Sequence, residues 1–231
     1  MKKILVVAAH PDDEILGCGG TMIEHVKRGD KVGIIISSEG ITSRDDVRNY
    51  EKRKKEVIEL SEVSRKIAKD LKVSFIDFLS FPDNRLDSVN LLDIVKKIET
   101  RLLDFMPNLI YTHHGNDLNI DHCIINKAVL TASRPYPEQT VEKILTFEIP
   151  SSSNWGDISQ VSAFAPNYYQ EITNSLEEKI KYLKMYKGEL RDWPHARSIK
   201  AIESLARYRG STVGLKAAEA FQLVRSIKRN I

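Results

Sequence analysis

The sequence predicts an α/β fold in which helices cover both faces of a mostly parallel sheet. Short apolar runs rich in β-branched residues, typical of strands buried on both faces, alternate with longer segments whose apolar residues recur every three or four positions. Polar clusters follow the first and fourth of these runs, and ligands of open α/β sheets bind beyond the carboxyl ends of the strands. In a doubly wound sheet of order 3-2-1-4-5 those two strands are neighbours, so the clusters would face one another.

The predicted elements alternate over residues 1–150. Strands are expected at five apolar runs: Ile4–Ala8, Lys31–Ser37, Phe75–Leu79, Leu109–Thr112 and Ile144–Ile149. Helices are expected between the strands, in four segments whose apolar residues recur with helical spacing. These segments are Ile15–Val26, about Asp45–Leu71, Leu91–Phe105 and Ile124–Val129. Three glycines, at positions 17, 19 and 20, fall inside the first helix at a cost of up to about 1 kcal/mol each relative to alanine. We therefore expect another element to approach that helix closely.

Residues 151–231 are expected to form a cap on this core, so that residues 1–231 are one domain. No repeat or low-complexity linker separates the two parts. Helices are predicted over Leu176–Tyr186 and about Ala196–Tyr208, and Ala217–Val224 fits either a helix or a strand. A polar turn, Trp193–Ser198, precedes the second of these helices.

Composition excludes several classes of protein. A net charge of +3, from 35 basic and 32 acidic residues, is too small to indicate a nucleic-acid partner. No apolar stretch is long enough to span a bilayer, and the apolar run after the Met-Lys-Lys start stops at His10, which favours a strand over a signal peptide. Cys18 and Cys123 give no disulfide framework. These features predict a cytoplasmic protein.

The most informative stretch is Ala9–Glu14, directly after the first predicted strand. It places His10 beside Asp12, Asp13 and Glu14 at the start of a helix. Helix capping would explain one carboxylate, but it would not explain a histidine beside several carboxylates. A dinucleotide-binding turn is disfavoured, because the glycines follow the acids and the acids would repel a pyrophosphate.

The second polar cluster, His113–His122, follows the fourth predicted strand and precedes a helix. Facing the first cluster, it would bring His122 near His10 and Asp13. Two imidazole nitrogens and one carboxylate are typical of a hydrolytic zinc site, which keeps a position open for water. The sequence therefore predicts such a site between the two strands.

These motifs resemble the PIG-L or LmbE-like family of zinc-dependent N-acetyl-sugar deacetylases. The resemblance covers at least the first 150 residues and rests on five stretches: His-Pro-Asp-Asp-Glu at positions 10–14, Ser-Glu-Gly at 38–40, Arg-Lys-Lys-Glu at 53–56, Phe-Pro-Asp-Asn-Arg-Leu at 81–86, and the Asp-His pair at 121–122. It implies a Rossmann-like three-layer sandwich with a C-terminal α+β elaboration. The Glu-Ala-Phe at 219–221 resembles the family's final strand, which favours a strand there.

The resemblance also implies roles for individual residues. The metal ligands would be His10, Asp13 and His122, with Asp12 as general base. Arg53 and Asp83 match the arginine and aspartate that hold sugar hydroxyls in the family. One Zn²⁺ per chain is expected, although iron or cobalt could occupy the same ligands. Relatives often form trimers or hexamers, which makes a homo-oligomer an expectation here.

One departure from the family pattern concerns proton transfer. The family's second motif usually has His-Pro-Asp-His, whereas this chain has Asn119-Ile120-Asp121-His122. Asparagine can donate a hydrogen bond but cannot deliver a proton at neutral pH. His195 could replace the lost histidine, Asp12 could make both proton transfers, or His195 could simply cap a surface helix. Asn119 and Arg197 are expected to be substrate contacts.

The reaction expected from these residues is hydrolysis of an N-acetylated amino sugar or amino-sugar conjugate, giving acetate and a free amine. Two alternatives remain: a metal-dependent amidase acting on a non-sugar amide, and a non-catalytic zinc- or nucleotide-binding module. Asp12 argues against the last, since a structural metal site needs no spare base.

Overall fold

A seven-stranded sheet forms the centre of the fold in the computed structural model, which describes residues 1–156 and 163–228. The strands are β1 (Lys3–Ala8), β2 (Lys31–Ser38), β3 (Phe75–Phe81), β4 (Leu109–His113), β5 (Lys143–Phe147), β6 (Tyr168–Glu171) and β7 (Ala218–Ser226). The helices are α1 (Asp13–Lys27), α2 (Tyr50–Asp70), α3 (Leu91–Phe105), α4 (Ile120–Ala132), α5 (Leu176–Leu183) and α6 (Ile199–Ser211).

The strand order is β3-β2-β1-β4-β5-β7-β6. The first five strands in this order run parallel, and β7 pairs antiparallel with both β5 and β6. The predicted α/β class is confirmed, and the predicted order 3-2-1-4-5 is found. Its consequence for the site is that β1 and β4 are adjacent, with Val7 paired with Thr112.

Helices cover both faces of the sheet, as a three-layer sandwich requires. Alternate residues of β1 point to opposite faces, with Ile4 and Val6 in one apolar cluster and Leu5 and Val7 in the other. Residues of α1, α2, α5 and α6 complete the first cluster, and residues of α3 and α4 complete the second. Among the described residues, no helix has both the length and the apolarity needed to cross a membrane.

Helix α1 is irregular where the sequence contains its glycines. A Cβ on Gly17 would lie 2.3 Å from the ring of Phe147, and one on Gly20 would lie 2.7 Å from Ile172. The close approach expected from these glycines is therefore present. Cys18, between them, has non-helical torsions (φ −148°, ψ 24°) that kink the helix.

The structure corrects several predicted boundaries. Helix α2 begins at Tyr50 and not near Asp45, because Asn49 caps it by accepting the backbone N–H of Lys52. Helix α6 likewise begins after Ser198, which accepts the N–H of Ala201. The strand favoured within Ala217–Val224 is confirmed as β7, whereas the edge strand β6, which pairs with β7 in the described part of the chain, was not predicted.

Candidate metal centre and active site

Three predicted ligands converge beyond the carboxyl ends of β1 and β4. His10 follows β1, Asp13 begins α1, and His122 lies in the first turn of α4. One nitrogen or oxygen atom from each lies within 4.8 Å of those from the other two. They meet because β1 and β4 are neighbouring parallel strands and each is followed at once by a helix.

The donor set fits a divalent transition metal. Asp13 Oδ1 is buried and, within residues 1–156 and 163–228, has no hydrogen-bond partner, and the buried His122 Nε2 faces Asp13 Oδ2 at 3.3 Å. A buried carboxylate oxygen without a partner, beside two imidazole rings, is in keeping with a bound cation. Burial lowers the pKa of His10, but the carboxylates of Asp121 and Asp13 outweigh it and raise that pKa well above its ordinary value. The surroundings therefore favour positive charge.

A second group of potential ligands combines His10 with Asp83 and Asp121. His10 Nε2 lies 3.1 Å from Asp121 Oδ2 and 3.3 Å from Asp83 Oδ1. Both carboxylate oxygens of Asp121 already accept backbone N–H groups, from Asn84 at 2.8 Å and Leu86 at 3.0 Å. Asp121 thus holds the loop after β3 in place, and the group formed with Asp13 and His122 is the better metal site.

Asp117 supports His122 from outside the ligand group. Its Oδ1 lies 3.2 Å from His122 Nδ1, and its carboxylate accepts the hydroxyls of Ser152 and Ser153. Burial alone would raise the pKa of Asp117, but these hydrogen bonds and the charge of His122 lower it to about 2. A carboxylate behind a histidine ligand fixes the ring's tautomer and orientation.

Asp12 lies beside the ligand group and carries a strained backbone. Its φ is 114°, a conformation that costs a non-glycine residue roughly 1–3 kcal/mol and is found mainly at functional sites. Arg197 Nη1 donates to Asp12 Oδ2 at 2.8 Å, and Arg197 Nε donates to Ser151 Oγ at 2.9 Å. Burial raises the pKa of Asp12 well above its ordinary value, and the charge of Arg197 opposes that rise.

A polar cavity of about 240 Å³ opens in front of His10 and Asp12. Its other lining residues are mostly polar or charged: Pro11, Gly40, Ser43, Arg44, Asp83, Asn84, Asn119, Glu189, Arg191 and Arg197. Of the predicted substrate contacts, Asp83, Asn119 and Arg197 are therefore brought into it. Asn119 caps α4, accepting the N–H of Asp121, and donates to Asn84 Oδ1 at 2.8 Å.

Arg53 and His195 are not among the residues that line this cavity. Arg53 binds Asp45 through Nε and Nη2, both at 2.8 Å, and Glu56 through Nη1 at 2.9 Å, so its guanidinium is occupied near the start of α2. His195 Nδ1 accepts the backbone N–H of Arg197 at 3.0 Å. Arg53 is held by acids, and His195 shapes the turn that presents Arg197; sugar binding by Arg53 and proton transfer by His195 stay predictions.

Several residues of the site were not singled out from the sequence. Asp117 lies in the second polar cluster, and its short sequence distance from His122 could have predicted a contact between the two. His113 stacks on His122 with ring centroids 3.9 Å apart and accepts the N–H of Ala9 through Nε2 at 2.8 Å. No sequence pattern identified Arg44, Glu189 and Arg191 as cavity residues. They lie in segments without periodicity, and the fold brings them to the site.

The fold and the two facing polar clusters define an α/β protein whose ligand site lies where the strand order reverses. Residues 5–133, more than half of the chain, match the family described as GlcNAc-PI de-N-acetylase, PIG-L. The chain belongs to this deacetylase family.

Individual relatives are more distant. The uncharacterized deacetylase YaiS of Escherichia coli (strain K12) is 27% identical over 193 residues, which cover 81% of this chain and 91% of YaiS. The N,N'-diacetylchitobiose deacetylase from Pyrococcus horikoshii matches with a TM-score of 0.76 and 18% identity, over 97% of this chain and 84% of that one. GalB, the 4-carboxy-2-hydroxymuconate hydratase from Pseudomonas putida KT2440, matches with a TM-score of 0.74 and 19% identity, over 100% of both chains. The two structural matches show the shared fold.

Proposed function

We propose that this protein is a metal-dependent hydrolase that removes the acetyl group from an N-acetylated amino sugar or amino-sugar conjugate. The observation that carries the proposal is the placement of Asp12. Its buried carboxylate lines a polar cavity beside His10, next to the group of potential metal ligands, and contacts only one cation, Arg197, through an ion pair in the described part of the chain. Membership of the PIG-L family supports deacetylation as the reaction.

The metal would be held by His10, Asp13 and His122, and we propose Zn²⁺, one ion per chain. Bound zinc lowers the pKa of water toward neutrality and polarises a carbonyl oxygen. Asp117 holds His122 in the tautomer with Nδ1–H, which leaves the lone pair on Nε2 for a metal.

Asp12 performs the proton transfers in this proposal. Its carboxylate accepts a proton from the water that attacks the acetyl carbonyl, and then gives a proton to the leaving nitrogen as the C–N bond breaks. The products are acetate and a free amine. Arg197 opposes the rise that burial causes in the pKa of Asp12, which favours the ionised form needed for the first transfer, and its hydrogen bond fixes the carboxylate in position.

The cavity walls suit a ligand that carries several hydroxyl groups. Asp83 is an acceptor, Asn119 and Asn84 offer both donors and acceptors, and Arg191 and Arg197 are donors. We propose that Asp83, Asn119 and Arg197 bind the sugar. The P. horikoshii neighbour is a deacetylase of diacetylchitobiose, which is in keeping with this substrate class.

The test is acetate release from free, phosphorylated and nucleotide-linked N-acetylhexosamines and from N-acetylated amines without a sugar, using zinc-loaded wild type and Asp12→Asn. The proposal predicts release from at least one sugar by wild type, and a loss of about 10²-fold or more in the variant, with its zinc retained. Release only from non-sugar amides would replace the substrate class.

A hydration assay with an unsaturated dicarboxylic acid belongs beside this test, because GalB shares the fold over its whole length. Hydration without acetate release would overturn the assignment to deacetylation.

A further inference from the structure

We propose that Tyr186 is a positioning residue that fixes Asp12 through the carboxylate of Glu14. The inference rests on the proposed function, in which Asp12 is the base. Tyr186 comes from the C-terminal part of the chain, just after α5, and its side chain is 1% exposed. It is 172 positions from Glu14 in sequence.

Glu14 connects the two residues. Its Oε2 accepts the backbone N–H of Asp12 at 3.0 Å, and its Oε1 accepts the hydroxyl of Tyr186 at 2.5 Å. The phenol oxygen also lies 2.9 Å from Ser64 Oγ. The chain of contacts therefore runs from α2 through Tyr186 and Glu14 to the amide of Asp12.

Glu14 has no other use in the site. It follows the ligand Asp13 directly, yet it belongs to neither group of potential metal ligands in the described residues. It does not line the cavity either. Both of its carboxylate oxygens accept hydrogen bonds from the protein, so Glu14 positions other residues and does not contact the substrate.

The backbone of Asp12 needs this restraint. A φ of 114° persists in a non-glycine residue only where the surroundings enforce it. The backbone carbonyl oxygen of Asp12 accepts the N–H groups of Ile15 and Leu16 at 3.0 and 2.9 Å, which fixes the peptide that follows Asp12. On its amide side the hold comes from Glu14, whose flexible side chain is fixed by the rigid, buried ring of Tyr186. Without the phenol, Glu14 can rotate, and Asp12 can relax away from Arg197 and the cavity.

The experiment compares Tyr186→Phe with Tyr182→Phe as a matched control. Tyr182 lies on α5, is 3% exposed, and its hydroxyl donates to Glu178 Oε1 at 3.4 Å. Each variant removes one phenol oxygen and keeps the ring. In Tyr186→Phe we expect kcat to fall about 10- to 100-fold, as displacement of a reacting group does, with KM and zinc content unchanged. In Tyr182→Phe all three values stay at those of wild type.

A second readout does not depend on activity. In protein labelled with ¹⁵N-aspartate, the amide signal of Asp12 is identified by its loss in Asp12→Asn. We expect this signal to shift in Tyr186→Phe and in Glu14→Gln, but not in Tyr182→Phe.

An unmoved Asp12 amide signal in Tyr186→Phe, or an unchanged kcat in an enzyme that releases acetate, would overturn the inference. A fall in kcat that is matched by lost zinc or by a raised KM would overturn it as well, since the residue would then act on the fold or on binding. If wild type releases no acetate from any substrate, the proposed function fails, while the amide signal still decides whether Tyr186 positions Asp12.

Discussion

Arg197 Nη1 lies 2.8 Å from Asp12 Oδ2, although the two residues are 185 positions apart in the chain. The contact joins the first motif of the sequence to the turn before α6. It opposes the effect of burial, which raises the pKa of Asp12. A residue outside the region that matches the family, residues 5–133, therefore acts on the pKa of the proposed base.

Replacement of Arg197 by glutamine is expected to move the pH dependence of the reaction. Without the guanidinium the pKa of Asp12 rises further, so less of the carboxylate is ionised at a given pH, and the acidic limb of kcat/KM shifts to higher pH. At neutral pH kcat/KM should fall about tenfold or more. Arg101→Gln, which removes an arginine paired with Asp77, is the control and should leave the profile unchanged. An acidic limb that stays in place in Arg197→Gln would show that Arg197 does not act on Asp12.

Loss of the Asp117 carboxylate is expected to weaken metal binding. Asp117→Asn removes the charge that orients His122, and zinc affinity should fall about 10- to 100-fold, as it does for other residues behind a histidine ligand. The measurement is competition with a chelating dye. Asp104→Asn, on the exposed end of α3, is the control. Equal zinc affinity in both variants would contradict the support assigned to Asp117.

An added methyl group at Gly17 is expected to destabilise the fold. In Gly17→Ala the new Cβ would lie 2.3 Å from Phe147, and the crowding should lower the free energy of unfolding by about 1–3 kcal/mol. In Gly188→Ala nothing lies within 4 Å of the new atom, so its unfolding curve should stay close to that of wild type. Denaturant unfolding measures both. An unchanged free energy of unfolding in Gly17→Ala would contradict the close packing of α1 against β5.

His25, which does not line the cavity, is expected to make the free energy of unfolding depend on pH. Burial lowers the pKa of His25 below 6.5, although Asp30, 2.8 Å from its Nδ1, acts in the opposite direction. The unfolded chain therefore binds the proton more readily. This contribution to stability is complete above pH 6.5 and is lost as the pH falls through the lowered pKa of the folded protein.

The corresponding measurement is the free energy of unfolding of wild type and His25→Gln between pH 5 and 8. The stability difference between them should shrink as the pH falls below 6.5. A constant difference across this range would show that His25 has an ordinary pKa in the folded protein.

Sequence reasoning was most reliable where the chain's local pattern decides the structure. The apolar runs of β1, β2 and β4 and the periodicity of α3 are properties of single segments, and the strand order followed from the general rule for doubly wound sheets. The meeting of His10 with Asp13 and His122 followed from that order.

Long-range contacts account for what the sequence did not predict. Arg53 lies in a family-like motif, but Asp45 and Glu56 occupy its guanidinium, and no pattern shows which acids a surface arginine will meet. The four residues of β6, Tyr-Tyr-Gln-Glu, form neither an apolar run nor an alternating pattern, so they did not identify a strand. Tyr186 follows the core-facing positions of α5, and nothing local indicates that its hydroxyl reaches Glu14.

The most direct test of the account is a zinc titration of metal-stripped protein in which acetate release and bound zinc are measured together. Activity should rise in proportion to bound zinc and stop at one ion per chain. Asp12→Asn should bind the same zinc and stay inactive, and His122→Ala should bind zinc much more weakly. Full activity in the stripped protein, or in zinc-loaded Asp12→Asn, would contradict the account.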